Sequence, residues 1–556
     1  FTNSLLVGTS GTGTLSSADK NVGVGVGVLG ALTSGDDNVA IGFNALDLNT
    51  TGFQNIVLGS ESMATNTSGE RNVAIGHNAM YANTSGDCNV AIGKGALDAN
   101  TTASCNTAVG VEALTANTTS DNNTAFGYKA LFTQVADGAR NTGIGLCALH
   151  GNTTGDDNVA VGYGAGDSNT TGSSNISVGS GALATSTTAN GNTAVGNLTL
   201  FDNTTGAQNT AIGNEALANN TTAADNVAIG SGAAFKNTSG NNNTTVGTNS
   251  FKCNTTGNDN TAFGSQALLV ATTATANTGL GRAAMCKTTT GANNTVVGYY
   301  SMEGNTTGAN NTAVGRTALA CNTTASNNTA VGCKALAANT TAVENTAVGR
   351  NAMVANTTGA NNTAVGADSL DLSTTGAENV SIGSAAHGAA QTGSCNTAVG
   401  RSAGGNVTTG NNNVTVGYAS GTDAVRTINS GNNEIVIGNN SNVGAYIKID
   451  WTVTSDLRDK TNIGTVPHGL NFVNQLNPIS YQFKKSREDD TPHGPQKYGF
   501  KAQEILALEG DNPIIISNDD EENLKLTSAH LIPVLVNAIK ELKTRIEVLE
   551  NEWIKS

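Results

Sequence analysis

A 17-residue repeat is the feature of this 556-residue chain that most limits how it can fold. The unit reads Asn-Thr-Ala-Val-Gly-x-x-Ala-Leu-x-x-Asn-Thr-Thr-Gly-x-x, and its first glycine recurs at this spacing from Gly8 to Gly127 and again from Gly145 to Gly417. A spacing of 18 residues separates the two series, and a last copy ends at Gly438 after a spacing of 21. These 26 units occupy residues 1–438.

Three positions of the unit are nearly constant. The residue before the glycine is Val, Ile, Leu or Phe in all 26 units, and the fourth residue before it is Asn in 24 of them. The fourth residue after the glycine is usually Leu or Met. One unit has too few apolar groups to bury a core alone, whereas stacked units share a continuous one. The repeat therefore predicts a solenoid.

Local chemistry indicates how each coil is built. The Thr-Ala-Val segment is short and β-branched, which is typical of a strand with alternate residues pointing inward. The Asn-Thr-Thr-Gly segment favours a turn, because Gly and Asn adopt positive φ. We expect one coil per unit, parallel strands, and a rod roughly 120 Å long at ~4.8 Å per coil. Its Val and Leu columns would be buried, and each repeated Asn would bond its copies above and below.

Other interpretations of the repeat are less well supported. Disorder would suit a chain with 4% aromatic residues, but strict phase over 26 copies argues against it. The Thr pairs lie in turns rather than on a flat ice-binding face, and acidic pairs such as Asp36–Asp37 and Asp156–Asp157 do not recur in phase for calcium. The net charge of −15 disfavours nucleic acid. No apolar run is long enough for membrane insertion. We expect no cofactor and no metal.

Several isolated residues allow two readings. The eight cysteines include no Cys-x-x-Cys pair, which disfavours zinc. Cys88 and Cys105 share one phase in adjacent coils, so either reduced wall residues or a disulfide would fit there. His387 stands where Leu or Met is usual, which favours a local packing exception over a ligand site. The Asn-Thr-Thr triplets match the glycosylation sequon, but their repeat position explains them as turns.

The composition changes near residue 450, after which charged residues are concentrated. Residues 455–460 read Ser-Asp-Leu-Arg-Asp-Lys, and residues 499–504 read Gly-Phe-Lys-Ala-Gln-Glu. Near the C-terminus, apolar residues alternate at spacings of four and three, which predicts a coiled coil over residues 531–553, with burial in a single domain core as the alternative. The seam residues are Leu535, Ile539, Leu542, Ile546 and Leu549. The chain has no initiating Met and no leader, so we expect Phe1 to be internal to a longer or processed chain.

Both parts resemble known families. The Asn-x-Ala-Val/Ile-Gly unit resembles the head repeats of trimeric autotransporter adhesins, which form left-handed parallel β-rolls in homotrimers, although units in that family are typically a few residues shorter. Similar repeats occur in viral and phage fibres. Residues 451–556 resemble the C-terminal intramolecular chaperone of endosialidases, phage tailspikes and fibres. The most specific part is Ser-Asp-x-Arg-x-Lys, supported by Gly-Phe-x-Ala-Gln-Glu and the terminal heptads.

The second resemblance implies a maturation reaction. In that family the module trimerises the chain, helps the β-structured part to fold, and then cuts itself off before the motif serine, here between Thr454 and Ser455. Ser455 matches the nucleophile and Lys460 the base, a pairing that works when burial makes the lysine neutral. A helix cap with solvated charges is the alternative reading. The residues that support the motif are Asp456, Arg458, Gly499, Phe500, Gln503 and Glu504.

Taken together, these observations predict a mainly β, homotrimeric fibre. Residues 1–438 would form the β-solenoid shaft, residues 439–454 a connecting segment, and residues 455–556 a small α+β chaperone that ends in the coiled coil. The chaperone would be a serine peptidase that acts once, on its own chain. We expect a virion or extracellular fibre, assembled in the host cytoplasm, that attaches to a host receptor or glycan. The alternatives are a cellular surface adhesin and a polysaccharide-binding or polysaccharide-degrading spike.

Overall fold

The computed structural model describes residues 4–8, 17–423, 426–442, 448, 455–484, 487–518, 521–522 and 524–555. The chain divides into two compact units, Phe1–Asn379 and Val380–Ser556. The second unit contains both the last repeats and the C-terminal module. This division does not test the domain boundaries predicted from the sequence, and most of the predicted connecting segment 439–454 lies outside the described residues.

The first unit is a parallel β-solenoid with one three-residue strand in each coil. Successive strands of this unit pair in parallel, residue i opposite residue i+17, as Thr210 pairs with Val227, and the 18-residue coil shifts this to i+18 where Thr124 pairs with Thr142. A mainly β solenoid of 17-residue coils is thereby confirmed. The strands are β1 Leu5–Val7, β2 Val22–Val24, β3 Val39–Ile41, β4 Ile56–Leu58, β5 Val73–Ile75, β6 Val90–Ile92, β7 Thr107–Val109, β8 Thr124–Phe126, β9 Thr142–Ile144, β10 Val159–Val161, β11 Ile176–Val178, β12 Thr193–Val195, β13 Thr210–Ile212, β14 Val227–Ile229, β15 Thr244–Val246, β16 Thr261–Phe263, β17 Thr278–Leu280, β18 Thr295–Val297, β19 Thr312–Val314, β20 Thr329–Val331, β21 Thr346–Val348 and β22 Thr363–Val365.

The orientation of the strands corrects one prediction. We expected the Val or Ile before the glycine to be buried, but in β13 the central Ala211 is fully buried while Ile212 is 39% exposed. The Leu column behaves as predicted, and Leu217 is fully buried. These two inward columns touch: a Cβ built on Gly279, at the centre of β17, would lie 3.3 Å from the Met285 side chain. The interior therefore has room for Ala opposite Leu or Met, and the β-branched residues face outward.

Two positions with positive φ explain which residues the coil accepts. The buried Leu column is left-handed, with φ 55° at Leu46 and 49° at Leu217. Because β-branched residues are strained there, the column is built of unbranched or γ-branched side chains such as Leu and Met. The repeat glycine has φ near 134° at Gly213, and a Cβ on it would lie 2.7 Å from the backbone of Gly230. Glycine is thus required both by conformation and by the close approach of the next coil.

Side-chain ladders run across the strands, from each coil to the next, and hydrogen-bond the polar groups of the turns. The predicted amide ladder is confirmed: Asn226 Nδ2 donates to Asn209 Oδ1 at 3.1 Å, and Asn226 Oδ1 accepts the backbone N–H of Asn243 at 2.9 Å. The Asn of the Asn-Thr-Thr-Gly turn forms a second ladder that the sequence analysis missed, with Asn220 Nδ2 donating to Asn203 Oδ1 at 2.7 Å. These amides are buried, and pairing within the stack satisfies most of their donors and acceptors. In the second ladder, the Oδ1 atoms of Asn117, Asn169 and Asn356 have no partner among the described residues.

The 18-residue coil keeps the second ladder on one side only. Gln134 stands at the ladder position of this coil, and its Oε1 accepts from Asn152 Nδ2 at 3.3 Å. The side-chain amide of Gln134 also donates to the Gly138 carbonyl, as a ladder Asn does within its own turn. The longer side chain therefore spans the extra residue and continues the ladder into the next coil, whereas Oδ1 of Asn117 in the preceding coil has no partner among the described residues.

The second unit begins with strands of the same kind. Strands β23 to β25 and β28 pair in parallel, and the 21-residue spacing accommodates a short antiparallel pair, β26 and β27. Their bounds are β23 Val380–Ile382, β24 Thr397–Val399, β25 Val414–Val416, β26 Thr422–Asp423, β27 Arg426–Thr427 and β28 Ile435–Ile437.

The C-terminal module is α+β. A hairpin, β29 with β30, and a short pair, β31 with β32, accompany three α-helices around a small core of Phe472, Ile505, Ile515, Ile516, Leu531 and Val534. Its elements are a 3-10 turn Leu457–Asp459, α1 Leu470–Val473, β29 Ile479–Lys484, β30 Pro492–Gly499, α2 Ala502–Glu509, β31 Ile516–Ser517, β32 Lys525–Leu526, a 3-10 turn Ser528–His530 and α3 Leu531–Lys555.

Candidate functional site

A single tight turn brings Ser455 and Lys460 together. The 3-10 turn Leu457–Asp459 follows Ser455 and ends when the Lys460 N–H donates to the Leu457 carbonyl. This turn folds the lysine back over the start of the module, where Lys460 Nζ lies 2.7 Å from Ser455 Oγ. The distance is that of a direct hydrogen bond, which Lys460 Nζ donates to Ser455 Oγ.

Asp456 and Arg458 hold this turn. Asp456 caps it, because its Oδ1 accepts the Arg458 backbone N–H at 2.8 Å. The Arg458 side chain also forms a bidentate ion pair with the same carboxylate, with Nη2 2.6 Å from Oδ2 and Nε 3.0 Å from Oδ1. The side chain and then the backbone of Arg458 lower the pKa of Asp456 below its usual value. The cap expected as the alternative reading is therefore present together with the Ser–Lys contact, and it supports that contact.

Both members of the pair are exposed to solvent in the single chain. Thr454, whose carbonyl the predicted reaction would attack, lies outside the described residues. The described geometry thus supplies a hydroxyl, an amine that can accept its proton, and a turn that fixes both. These are the parts needed for a serine acyl transfer within one chain.

The second part of the motif forms the body of the module. A Cβ on Gly499 would lie 2.9 Å from the Tyr481 ring, so glycine lets β29 and β30 approach at the end of their hairpin. Phe500 packs against the module core. Gln503 is exposed on α2, and Glu504 on the same helix pairs with Lys501 at 2.5 Å.

Helix α3 has one face in the module and another in solvent. Leu531, Val534 and Ala538 are buried, and Glu541 Oε2 accepts the Leu470 N–H at 2.8 Å, which ties α3 to α1. The predicted seam lies on the exposed side and is not part of the module core. Its exposed residues are Leu535 (43%), Ile539 (65%), Leu542 (46%), Ile546 (46%) and Leu549 (64%).

The remaining polar repeat positions are used to hold the coils. Asp36 Oδ1 accepts the Asp19 N–H at 2.7 Å, and Asp156 Oδ1 accepts the Ala139 N–H at 2.7 Å. Thr204 Oγ1 donates to the Thr221 carbonyl at 2.9 Å, as do equivalent threonines along the first unit. Within the described ranges, no three His, Cys, Asp or Glu side chains converge as metal ligands, and no helix is long and apolar enough to cross a membrane.

The sequons and cysteines also have structural explanations. The sequon residue Asn203 is fully buried, and its Nδ2 donates to the Gly206 carbonyl at 2.9 Å. An acceptor nitrogen held in this way is closed to glycosylation once the coil has folded. No disulfide joins any of the eight cysteines, all of which lie in the described ranges, and Cys88 and Cys105, the adjacent pair, are both exposed.

Comparison with protein-family models matches residues 455–511 to the family described as the chaperone of endosialidase. The match starts at Ser455 and covers the Ser–Lys turn, the β29–β30 hairpin and α2. No curated protein and no solved structure matches the chain. The chain therefore carries a chaperone-of-endosialidase domain near its C-terminus, preceded in the sequence by a parallel β-solenoid.

Proposed function

We propose that residues 455–556 assemble copies of this chain into a homotrimeric fibre and then release themselves by cutting the bond between Thr454 and Ser455. The observation that carries the proposal is the 2.7 Å contact between Lys460 Nζ and Ser455 Oγ, placed at the first residue of the segment that matches the chaperone family. A chaperone at one end also suits a shaft of near-identical coils, in which a slip by one coil changes few contacts.

The proposed reaction is an acyl transfer within the chain followed by hydrolysis. Ser455 Oγ attacks the Thr454 carbonyl carbon and passes its proton to Lys460 Nζ. The C–N bond to Ser455 then breaks, and its nitrogen takes the proton from Lys460 to leave as an amine. Water hydrolyses the resulting ester, which gives a Thr454 carboxylate and restores the Ser455 hydroxyl. Because nucleophile and target are neighbours in the chain, proximity is built in.

Assembly would precede the cut. A lysine acts as a base only when it is neutral, and removal from water favours the neutral amine. Lys460 and Ser455 are exposed in the single chain, as is the apolar seam of α3. If association through α3 also covers the turn, cleavage would occur only after assembly is complete. Loss of residues 455–556 would then leave the fibre kinetically trapped.

The proposed number of three chains is not explained by the α3 seam alone. In heptad terms, Ile539 and Ile546 occupy a positions, and Leu535, Leu542 and Leu549 occupy d positions. Such a seam by itself favours two strands. Three-fold symmetry is supported by the resemblance of both parts of the chain to trimeric families, and it has to come from contacts outside α3.

The proposed role of the fibre is attachment of a virus or phage to its host. A solenoid shaft that presents a distal tip to a receptor or glycan, assembled by a removable chaperone, is the arrangement that the two resemblances support. A chain of the same design on a cell surface would be an adhesin. Detection of the protein on purified virions, or in the cell envelope instead, separates these two roles.

The test of cleavage compares wild type with Ser455→Ala and Lys460→Met. Wild type should yield a fragment spanning residues 455–556 with Ser455 at its N-terminus, as read by intact mass spectrometry, whereas both variants should stay full length. Lys543→Met is the matched control, because Lys543 is an exposed lysine on α3 and should leave cleavage unchanged. Intact wild-type chains after assembly, or cleavage of the Ser455→Ala chain, would contradict the mechanism.

The test of assembly places a charge in the α3 seam. Leu542→Asp should prevent oligomer formation and, with it, cleavage, while Lys540→Asp on an exposed side of the same helix should retain both. Native mass spectrometry of wild type should give three chains per particle. A monomer, a dimer, or full cleavage by monomeric Leu542→Asp would each refute the corresponding part of the proposal.

A further inference from the structure

The outward side of the solenoid sheet in the first unit is an uncharged surface of Val, Ile, Leu, Phe and Thr that no described part of the chain covers. Each three-residue strand points its central residue inward, so its first and third residues face out. The third residue is substantially exposed along the unit, for example Ile41 (38%), Leu58 (46%), Phe126 (56%), Ile212 (39%), Phe263 (50%) and Leu280 (42%). We call these two outward columns of β1 to β22 the apolar stripe.

The apolar stripe contains no charge. Its first column consists of Val, Ile, Leu or Thr, and its third of Val, Ile, Leu or Phe, in all 22 strands. Charged residues lie on both sides of it, before the repeat Asn as at Arg140 and after the repeat glycine as at Lys94. An apolar centre with a polar rim is the composition of a protein interface. Parallel sheets are, moreover, normally covered on both faces.

The size of the apolar stripe also exceeds that of an ordinary surface patch. Twenty-two coils at ~4.8 Å and a width of two residues give a face roughly 100 Å long and 7 Å wide, or about 700 Å². The largest apolar patch of a typical monomer is about 300–600 Å². Specific interfaces bury about 600–1,000 Å² on each partner, and the area of the apolar stripe falls within that range.

We propose that the apolar stripe is the surface through which copies of this chain pack against one another, and that Phe126 and Phe263 set their axial register. A partner has to offer an uncharged face with the same ~4.8 Å period over the whole length, which a parallel second copy does by construction. The inference rests on the proposed assembly of copies, and it identifies the contact surface in the shaft.

The register follows from the side-chain sizes in the third column. Phe126 and Phe263 are its only phenylalanines, and they lie eight coils apart. With parallel chains in register, each ring meets its own copies. A slip of one to seven coils places every ring against Val, Ile or Leu of the other chain and leaves mismatched volumes, so only the aligned state packs evenly.

The first experiment places charges on the apolar stripe. Ile212→Glu with Ile229→Glu should raise the concentration at which oligomers dissociate at least tenfold, as measured by analytical ultracentrifugation. The matched control, Asn214→Glu with Ser231→Glu, adds the same charges two residues further along the same coils and should leave that concentration unchanged. All four positions are exposed in the single chain, so circular dichroism should show intact coils in both variants.

The outcomes distinguish this inference from the proposed function. If wild type is oligomeric and the variant with Ile212→Glu and Ile229→Glu dissociates no more readily than the control, the apolar stripe is not the interface and the chaperone role still stands. A monomeric wild type overturns both. A monomeric wild type that binds phosphatidylcholine vesicles through Ile212 and Ile229 assigns the surface to a membrane instead.

The second experiment tests the register. Ile144→Cys places one thiol on the apolar stripe, so mild oxidation of aligned chains should yield a peptide joined through two copies of residue 144, detected by mass spectrometry. Phe126→Val with Phe263→Val should lower that yield at least threefold, whereas Phe53→Val with Tyr81→Val, two exposed rings outside the stripe, should not. Absence of the joined peptide, or equal yields in the two double variants, overturns the register assignment.

Discussion

The buried histidine of the second unit should make the stability of its coils dependent on pH. His387 is fully buried where most coils have Leu or Met, and its Nδ1 lies 2.8 Å from Ser381 Oγ. Nε2 has no hydrogen-bond partner among the described residues. The next coil has Gly404 at the equivalent position, where a Cβ would lie 2.5 Å from the imidazole. The ring therefore occupies space that a larger residue in place of Gly404 would need.

The magnitude follows from the shift in affinity for the proton. Burial lowers the pKa of His387 from 6.5 to about 4. The unfolded chain takes up the proton near pH 6.5, while the folded coils remain neutral until about pH 4. Stability is therefore fully present above pH 6.5 and falls as the pH is lowered toward 4, by about 3 kcal/mol in total. A loss of this size corresponds to roughly a hundredfold rise in the opening constant.

Amide hydrogen exchange of residues 380–404 provides the assay, because a long repeat array does not unfold in one step. The opening free energy, corrected for intrinsic exchange, should fall between pH 7 and pH 4 by about 3 kcal/mol more in wild type than in His387→Leu. Carboxylates common to both proteins cancel in this difference. Equal pH profiles for the two proteins would refute the reasoning, as would a larger loss in the variant.

Two further predictions concern the solenoid core and its ladders. Leu217→Ala should cost its coils about 2–5 kcal/mol in opening free energy through loss of a fully buried side chain, whereas Leu48→Ala, at a position 48% exposed, should cost less than about 0.5 kcal/mol; similar costs would contradict the assigned core. Asn226→Ala should cost about 1–3 kcal/mol because the buried N–H of Asn243 loses its acceptor, and exposed Asn214→Ala should be near neutral by the same exchange measurement. A neutral Asn226→Ala would show that the ladder does not stabilise the stack.

The architecture could be predicted from the sequence because the period, the Asn ladder and the turn residues all indicate the same coil. The choice of buried column could not be made from alternation, because residues of both parities in the strand are uncharged. The informative signal was size: the strand centre is small in most coils, as at Ala211 and Ala228, which indicates a crowded position. The absence of Val and Ile from the Leu column likewise reflected its positive φ, as at Leu46.

The candidate site likewise has features that could be predicted from the sequence and features that could not. The pair Ser455 and Lys460 was identified by a resemblance, and their roles remain predictions. The geometry that joins them depends on Asp456 and Arg458, whose cap and ion pair fold five residues into one turn. Charged residues two positions apart are common in any sequence, so the sequence pattern alone could not predict the ion pair between Asp456 and Arg458. The second Asn ladder was missed for the opposite reason, since its residues were already explained as turn formers.

Stability and alignment are separate problems in a chain of this kind. The ladders and parallel strands of the first unit join each coil to its neighbour through the same bonds, so the interior stabilises the stack without distinguishing one coil from the next. In the proposed assembly, alignment between copies would depend on residues that break the repeat. Among these are the two outward phenylalanines, the 18-residue coil that contains Gln134, the 21-residue unit that ends at Gly438, and the non-repetitive module that begins at Ser455. If the module is needed only while chains are being aligned, it has no further use once the coils are paired, which is the physical reason to expect that it is removed by its own chemistry.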